Sequence, residues 1–331
     1  MAILAGGLAG APLAAEAKNP AEMVRVGVLG IGPTPSPQEL AKSISTNPFW
    51  LAMRQLGWVE GQNMIVERRF GESADQLRAG AADLVRIKVD VLFVRTVGLG
   101  KLVQRETKTI PIVVGSAEGD LVANGLVDSL AKPGANITGS QILDDDLVPK
   151  RLELLKALLP NLSRVALLRE DVATSALPPI RTARDPQMVS AARTLAIDIH
   201  PFVVRGVEDL AAAFPSMLRN QDRGVLVTTS AFMFVHRQAI VDLAAAHRIA
   251  AVYGLREFVA LGGLMSYGVN DFEMERRAAT YVDRILRGAK PRDLPIEQPT
   301  RFDLTINLKA VKALGLKIPE SLLQRADEVI Q

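Results

Sequence analysis

The feature that most constrains the fold is an order of short apolar strands and amphipathic helices that occurs twice along the chain. The predicted strands are rich in Val, Ile and Leu and too apolar to alternate, as expected for parallel strands that helices cover on both faces. The predicted helices place apolar residues three and four positions apart. A chain of 331 residues with this repeated pattern therefore predicts an α/β fold with two doubly wound parallel-sheet lobes.

The predicted elements fall into two series with a tail. The first series has strands at 24–29, 64–69, 89–94 and 110–114 and helices at 39–56, 73–87 and 99–107. The second has strands at 164–168, 197–203, 224–228 and 250–253 and helices at 148–158, 186–195, 209–220 and 235–247. A strand within 262–268 and a helix at 272–286 should return to the first lobe, before a strand at 302–306 and a helix at 308–314. We thus expect lobe I to comprise 24–140 plus 256–292, and lobe II 141–255 plus 293–331.

Composition excludes several classes of protein. The chain has 39 Lys and Arg against 36 Asp and Glu, a net charge of only +3, so we expect no nucleic-acid partner. It contains no cysteine, which excludes disulfides, thiolate metal sites, a cysteine nucleophile and a lipidated mature N-terminus.

The first residues predict export. Residues 1–15 are small and apolar, and Ala15 and Ala17 give a small-x-small cleavage pattern before Lys18, although no basic residue precedes Lys18. We interpret residues 1–23 as a signal or leader segment, which places the mature protein in the periplasm. No later window reaches about 18 uninterrupted apolar residues, the length of a membrane-spanning helix.

The usual catalytic and cofactor motifs are missing from the sequence. Gly30 and Gly32 resemble the start of a dinucleotide-binding turn, but Pro35 stands where its third glycine belongs. No GxSxG motif precedes a helix, and no HExxH motif is present. The acidic run 144–146 is typical of a solvated hinge or helix start. We therefore predict no catalytic residue, no metal site and no cofactor.

Four longer motifs carry a resemblance to a known family. They lie, in this order, at residues 56–63, 120–139, 256–268, and 294–302 continuing to 326–330. Together they resemble the ABC transporter substrate-binding proteins that include the tryptophan/tyrosine-type binding proteins. The resemblance implies a periplasmic binding protein of type I-like bilobed fold, a Venus-flytrap whose lobes are joined by a multi-strand hinge. It also implies a monomer that captures a small-molecule ligand and docks on an ABC transporter permease in the inner membrane.

Ligand-binding residues of such a protein should lie where strands end and helices begin, facing the cleft between the lobes. Hydroxyls, backbone amides and aromatic rings at these positions suit a small carboxylate or amino acid. The candidates are Gly32, Thr96, Val97, Ser116, Ala117, Arg169, Glu170, Thr228, Ser230, Tyr253 and Tyr267.

The chemical class of the ligand stays open, because this sequence departs from the family in the pocket. Relatives have Asn-Pro where this chain has Arg169 and Glu170, and Asp-Pro where it has Ser230 and Ala231. An amino acid needs a carboxylate beside its ammonium group and a donor beside its own carboxylate. The candidate carboxylates are Glu170 and Glu118, and the candidate donors are Arg169 and Arg95.

A second possibility follows from the serine. If Ser230 in place of aspartate removes the ammonium partner, the ligand is an aromatic or aliphatic carboxylate without an amine, and Tyr253 or Tyr267 stacks on it. Two other classes of protein share the doubled α/β plan: an enzyme acting on a small metabolite, and a ligand-sensing regulatory domain. The enzyme requires turnover, and the regulator requires a basic DNA-binding segment before the lobes.

Overall fold

The first lobe is built on five parallel strands. The computed structural model describes residues 23–171 and 186–331, so residues 1–22 of the predicted leader lie outside the described residues. The strand order is β2-β1-β3-β4-β5. The strands are β1 (Val24–Ile31), β2 (Met64–Gly71), β3 (Val91–Val94), β4 (Ile112–Glu118) and β5 (Ile137–Ile142). The helices of this stretch are α1 (Pro37–Thr46), α2 (Pro48–Gln55), α3 (Ala74–Arg86) and α4 (Val97–Glu106).

The second lobe is built on seven strands in the order β12-β11-β10-β9-β8-β6-β7. These are β6 (Arg164–Glu170), β7 (Asp198–Val204), β8 (Gly224–Val227), β9 (Ala250–Tyr253), β10 (Met265–Val269), β11 (Phe302–Asn307) and β12 (Glu328–Ile330). The helices that follow β5 along the chain are α5 (Val148–Leu158), α6 (Pro186–Thr194), α7 (Val207–Arg219), α8 (Ala231–Val235), α9 (Arg237–Ala246), α10 (Arg256–Ala260), α11 (Asp271–Leu286), α12 (Leu308–Ala313) and α13 (Glu320–Leu323). The sheet is parallel except that β11 runs antiparallel to β10. Within the described ranges, no helix is both long and apolar enough to cross a membrane.

Only part of segment 256–292 lies in the expected lobe. Helix α11 packs on the five-stranded sheet, where its Tyr281 and Val282 share a buried cluster with Phe49 and Phe93. Strand β10 instead pairs in parallel with β9 and belongs to the seven-stranded sheet. We therefore use lobe I for the five-stranded sheet with α1–α4 and α11, and lobe II for the seven-stranded sheet with the other helices.

The chain crosses between the lobes three times. The first crossing follows β5 and passes through a 3₁₀ turn at Asp144–Leu147. The second joins β10 to α11, and the third runs through residues 287–301 to β11. On the third, the backbone N–H of Glu297 donates to the Gly139 carbonyl at 2.9 Å, and the Gln141 N–H donates to the Glu297 carbonyl at 2.9 Å. Adjacent backbone segments therefore form the hinge.

Local sequence explains where two helices begin. The single helix predicted at 39–56 is divided into α1 and α2, because Pro48 cannot continue a helix and the Asn47 side chain accepts from the Phe49 N–H at 3.0 Å. Helix α4 begins at Val97 because Thr96 caps it. This cap fixes the turn that joins the end of β3 to α4.

Candidate functional site

The carboxyl ends of the two sheets meet in a charged cleft. Glu118, the last residue of β4 in lobe I, interacts electrostatically with Asp144 and Arg151, which begin lobe II. Arg95, which follows β3, interacts in the same way with Glu257 at the start of α10. Because both lobes supply charges within electrostatic reach of each other, this edge is the candidate binding site.

Arg95 ties the lobe I side of the cleft to α11. Its guanidinium forms ion pairs with Asp271 (Nη2 to Oδ2, 2.9 Å) and Glu275 (Nε to Oε1, 2.7 Å). Burial lowers the pKa of Arg95, but the carboxylates of Glu275 and Asp271 outweigh it and the pKa rises. The Glu275 side chain is only 2% exposed, and burial raises its pKa to about 7 despite the arginine. Glu275 is thus the member of this pair that gains or loses a proton near neutral pH.

A buried ion pair holds the lobe II side. The Arg151 side chain is 1% exposed, and its guanidinium makes two hydrogen bonds to the Asp144 carboxylate, one of them 3.0 Å long. Its Nε also donates to the Tyr267 carbonyl at 2.7 Å. Burial would raise the pKa of Asp144, but the charge of Arg151 holds it below its usual value. This pair is satisfied within the protein, as a buried pair must be to persist.

Two glycines make room for this ion pair. A Cβ on Gly254 would lie 2.0 Å from Thr229 Oγ1 and 2.9 Å from Arg151 Nη2. A Cβ on Gly268 would lie 1.8 Å from the Gly254 carbonyl oxygen. The ends of β9 and β10 can therefore lie this close to the Arg151 guanidinium only because positions 254 and 268 are glycine.

Glu118 differs from the other cleft carboxylates. It is half-buried, and among the residues that the structure describes it has no hydrogen-bond or ion-pair partner. Burial raises its pKa to about 8, with a further rise from the charges of Asp144 and Asp271 and opposition from Arg95 and Arg151. Glu118 is thus a carboxyl group held in the cleft without a protein donor.

Glu257 borders a neighbouring cavity of about 310 Å³ between α10 and the edge of the lobe II sheet. Its Oε2 atom is buried without a partner in the described part of the chain, and burial followed by the charge of Asp271 raises its pKa. Ser266 and Asp271 also line this cavity.

The predicted hydroxyl residues lie at the cleft edge and have backbone partners. Thr96 Oγ1 accepts from the Leu99 N–H at 3.1 Å, and Ser230 Oγ accepts from the Met233 N–H at 3.2 Å. Thr228 Oγ1 donates to the Leu168 carbonyl at 3.2 Å. All three therefore hold local backbone in place, and ligand contact stays a prediction for each.

Other predicted residues contribute backbone or lie further out. Val97 has a fully buried side chain in the lobe I core, so only its backbone amide can face the cleft. Gly32 has a φ of +114° and open space around its Cα, and its N–H donates to the Gly71 carbonyl at 2.9 Å. Ser116 and Ala117 belong to β4, and their side chains lie outside what the structure describes.

The two charged candidates that end β6 are in different states. Arg169 is exposed. Glu170 is half-buried; burial raises its pKa, and hydrogen bonds from the Ser230 hydroxyl and the Phe232 N–H oppose that rise. Glu170 therefore already has donors at the start of α8.

The tyrosines do not form a stacking platform in this structure. Tyr253 is 1% exposed, stacks on Phe258 with ring centroids 4.7 Å apart, and packs in the lobe II core. The expectation that its ring contacts the ligand therefore conflicts with its packing. Tyr267 packs partly buried against the other side of lobe II, 6.1 Å from Phe302, with its carbonyl bound to Arg151.

Sequence reasoning missed much of the charged cluster. It did not single out Arg151, Glu257, Asp271 or Glu275, and it read Asp144 as part of a solvated hinge. One signal was present: position 151 is an arginine within the apolar stripe of a helix, between Val148 and Leu155, and a charge at such a position demands a buried partner. Within residues 23–171 and 186–331 no group of three metal-ligating side chains forms.

Comparisons with known proteins agree with this architecture. The family model of ABC transporter substrate binding proteins matches residues 51–330. A tyrosine-binding protein from Clostridioides difficile (strain R20291) is 23% identical over 274 residues, which span 81% of this chain and 76% of that protein.

Two solved structures have the same fold. A crystal structure of an ABC domain from Streptococcus pneumonia in complex with L-Trp gives a TM-score of 0.79 at 20% identity, covering 93% of this chain and 100% of that one. A conserved domain protein from Vibrio cholerae also gives 0.79, at 22% identity and the same coverage. The expected bilobed periplasmic-binding-protein fold is thereby confirmed.

Proposed function

The chain belongs to the ABC transporter substrate-binding protein family, and we propose that it captures a small organic solute between its lobes and delivers it to a permease. Members of this family are typically extracytoplasmic and in general are not enzymes. The observation that carries the proposal is the meeting of the two carboxyl edges, where Glu118 of lobe I lies within electrostatic reach of Asp144 and Arg151. A solute there would contact both lobes at once.

The proposed solute is an amino acid, in particular an aromatic one, or a related carboxylate. A relative is a tyrosine-binding protein, and a structural neighbour holds L-Trp. In this chain, the N-terminus of α4 offers backbone N–H groups and the positive end of a ten-residue helix beside the cleft. These groups suit the carboxylate of such a solute.

The proposed mechanism is closure about the three crossings. A solute that contacts both edges stabilises the arrangement in which they are close, by its differential affinity for that state. The paired Arg151 and Asp144 keep the lobe II edge rigid, and the ion pairs of Arg95 keep the lobe I edge fixed to α11. The closed form would then be the one that the permease recognises in the periplasm.

A binding screen tests the proposal. The mature protein is scanned by thermal shift against amino acids, aromatic acids, aliphatic acids and nucleotides, because a ligand that binds only the native state raises Tm. We expect a shift with one small acid or amino acid, recovered at unchanged mass after long incubation. Consumption of the hit, or a shift with nucleotides alone, would contradict the proposal in favour of an enzyme.

A further inference from the structure

We propose that the solute carries a cationic nitrogen, such as an ammonium group, and that Glu118 is the carboxylate that binds it. This inference rests on the proposed function and narrows it, because it excludes the amine-free carboxylates that the sequence leaves possible. It also assigns the ammonium partner to lobe I, because the lobe II position at which the resemblance implies an aspartate is Ser230 in this chain.

Elimination among the cleft carboxylates is the first step. Asp144 is bound by Arg151, and both Asp271 and Glu275 are bound by Arg95. Glu170 receives the Ser230 hydroxyl and the Phe232 N–H. Glu257 has a hydrogen bond from its own backbone N–H and faces the cavity beside α10. Glu118 alone of these six lacks any partner among the described residues.

Position is the second step. Glu118 ends β4 at the carboxyl edge of the lobe I sheet, just beyond a break in the pairing register between Val114 and Ala117, and lies within electrostatic reach of Asp144 and Arg151 in lobe II. The charges that act on the Glu118 carboxyl come from both lobes: Asp144 and Arg151 from lobe II, and Arg95 and Asp271 from lobe I. A cation at Glu118 would therefore sit between the lobes and favour their closure.

The balance of charge is the third step. Both arginines of the cleft are already neutralised by carboxylates, whereas Glu118 faces the like charges of Asp144 and Asp271. An amine-free carboxylate would bring a further negative charge close to these carboxylates, and the repulsion would weaken its binding. A cationic nitrogen relieves the repulsion and forms a charge-assisted hydrogen bond.

Matched pairs of solutes test the inference directly. The probes are L-tyrosine, L-tryptophan and L-leucine, each beside the acid that lacks only its α-amino group: 3-(4-hydroxyphenyl)propionate, indole-3-propionate and 4-methylpentanoate. For any pair that binds, we expect the amino acid to bind about a hundredfold more tightly by titration calorimetry, the usual scale for a desolvated charge pair. Equal binding, or tighter binding of the amine-free acid, overturns the inference and leaves the proposed function standing. Failure of every amino acid and every acid contradicts the proposed function itself.

The variant Glu118→Gln separates a binding role from a structural one. It should weaken the amino acid about a hundredfold and leave the amine-free acid unchanged or slightly tighter. The matched control is Glu106→Gln, which changes an exposed residue at the far end of α4 and should bind like the parent. A larger loss of discrimination in Glu170→Gln than in Glu118→Gln would transfer the role to Glu170 and refute the assignment.

Proton release gives a readout that a structural role would not produce. With the Glu118 pKa at about 8, the group is mostly protonated at pH 7, and a bound cation should expel close to one proton. Calorimetry at pH 7 in phosphate and in Tris, whose ionisation enthalpies differ, measures this number. The parent protein should release about one proton more than Glu118→Gln, because Glu275, Asp144, Asp271, Arg95 and Arg151 are present in both. Equal proton release by the parent and by Glu118→Gln counts against the inference. If the variant does not fold, the parent's preference for the amino acid over its amine-free counterpart still tests the inference.

Discussion

The two lobes bring charge to the cleft in opposite ways. Lobe II buries a guanidinium almost completely and satisfies it with a carboxylate, since Arg151 is 1% exposed and bound to Asp144. Lobe I leaves its arginine 43% exposed, at Arg95, and leaves the carboxyl of Glu118 without a partner among the described residues. A buried polar network whose hydrogen bonds are all made holds one arrangement of its side chains, whereas a carboxyl group without a protein partner can still accept a hydrogen bond from a ligand. Under the proposed function, lobe II therefore supplies a preformed wall, and lobe I supplies the group that selects the solute.

The largest expected effect is on folding, from breaking the buried pair. Arg151→Ala removes the guanidinium, leaves Asp144 buried without its main partner, and should lower the free energy of unfolding by about 3–5 kcal/mol. Arg95→Ala is the lobe I counterpart and should cost less, about 1–2 kcal/mol, because solvent reaches that arginine and the buried partner Glu275, whose pKa is already about 7, can take up a proton when the arginine is removed. Urea denaturation of both variants measures the difference. Equal losses of unfolding free energy in the two variants would contradict the distinction between a rigid lobe II edge and a solvent-exposed lobe I edge.

The glycines at the two edges give the next largest difference. Gly268→Ala places a Cβ 1.8 Å from the Gly254 carbonyl oxygen, so backbone must shift, and we expect a loss of about 2–4 kcal/mol. Gly32→Ala in lobe I meets open space and should cost about 1–2 kcal/mol, through its φ of +114° alone. Denaturation midpoints compare the two. A cheaper Gly268→Ala would mean that the lobe II edge is softer than its packing indicates.

The pH dependence of the ligand-free protein should come mainly from the lobe I side. The pKa values of Glu118 and Glu275 lie at about 8 and 7, above the ordinary value of 4.5. A carboxyl whose pKa rises on folding contributes stability that is fully present below the unfolded pKa and lost as the pH rises through the folded one. We expect Tm to fall between pH 5 and 8.5, corresponding to about 1–3 kcal/mol.

Two substitutions locate the source of that pH dependence. Glu118→Gln and Glu275→Gln should each flatten the profile, and a cationic solute should do the same by taking the place of the proton. A profile that stays steep in both variants would place the titrating groups elsewhere. Asp144, whose pKa is lowered by Arg151, should matter only in acid, where its protonation would remove stability.

Much of the fold could be predicted from local pattern. Helix α5 and strand β9 have the predicted bounds. The placement of β10 could not be read in this way, because its pairing with β9 is a long-range choice between two similar sheets. The break between α1 and α2 did have a local cause in Pro48, and the predicted single helix was wrong there.

The site was harder to predict than the fold. Strand ends predict the edge at which the candidate cleft lies, but not which side chains there are free to bind a ligand. Ser230 and Glu170 interact with each other, which only the approach of α8 to β6 reveals. Tyr253 ends a strand as the prediction required, yet its ring turns into the core against Phe258. Whether a side chain is free to bind a ligand depends on partners that lie far away in the sequence, and no spacing pattern in the sequence identifies those partners.

The smallest expected effects come from two buried tyrosines that behave oppositely. Tyr253 of lobe II has a buried hydroxyl without a partner among the described residues, whereas Tyr281 of lobe I donates to the Pro295 carbonyl at 2.6 Å. Tyr253→Phe should therefore leave stability unchanged or raise it by up to about 1 kcal/mol, and Tyr281→Phe should lower it by about 1 kcal/mol. Urea denaturation measures both. Because the Tyr253 ring lies in the core, Tyr253→Phe should also keep the solute affinity of the parent. A clear loss of affinity would show that the ring leaves the core when the solute binds, and lobe II would then be less rigid than the buried ion pair implies.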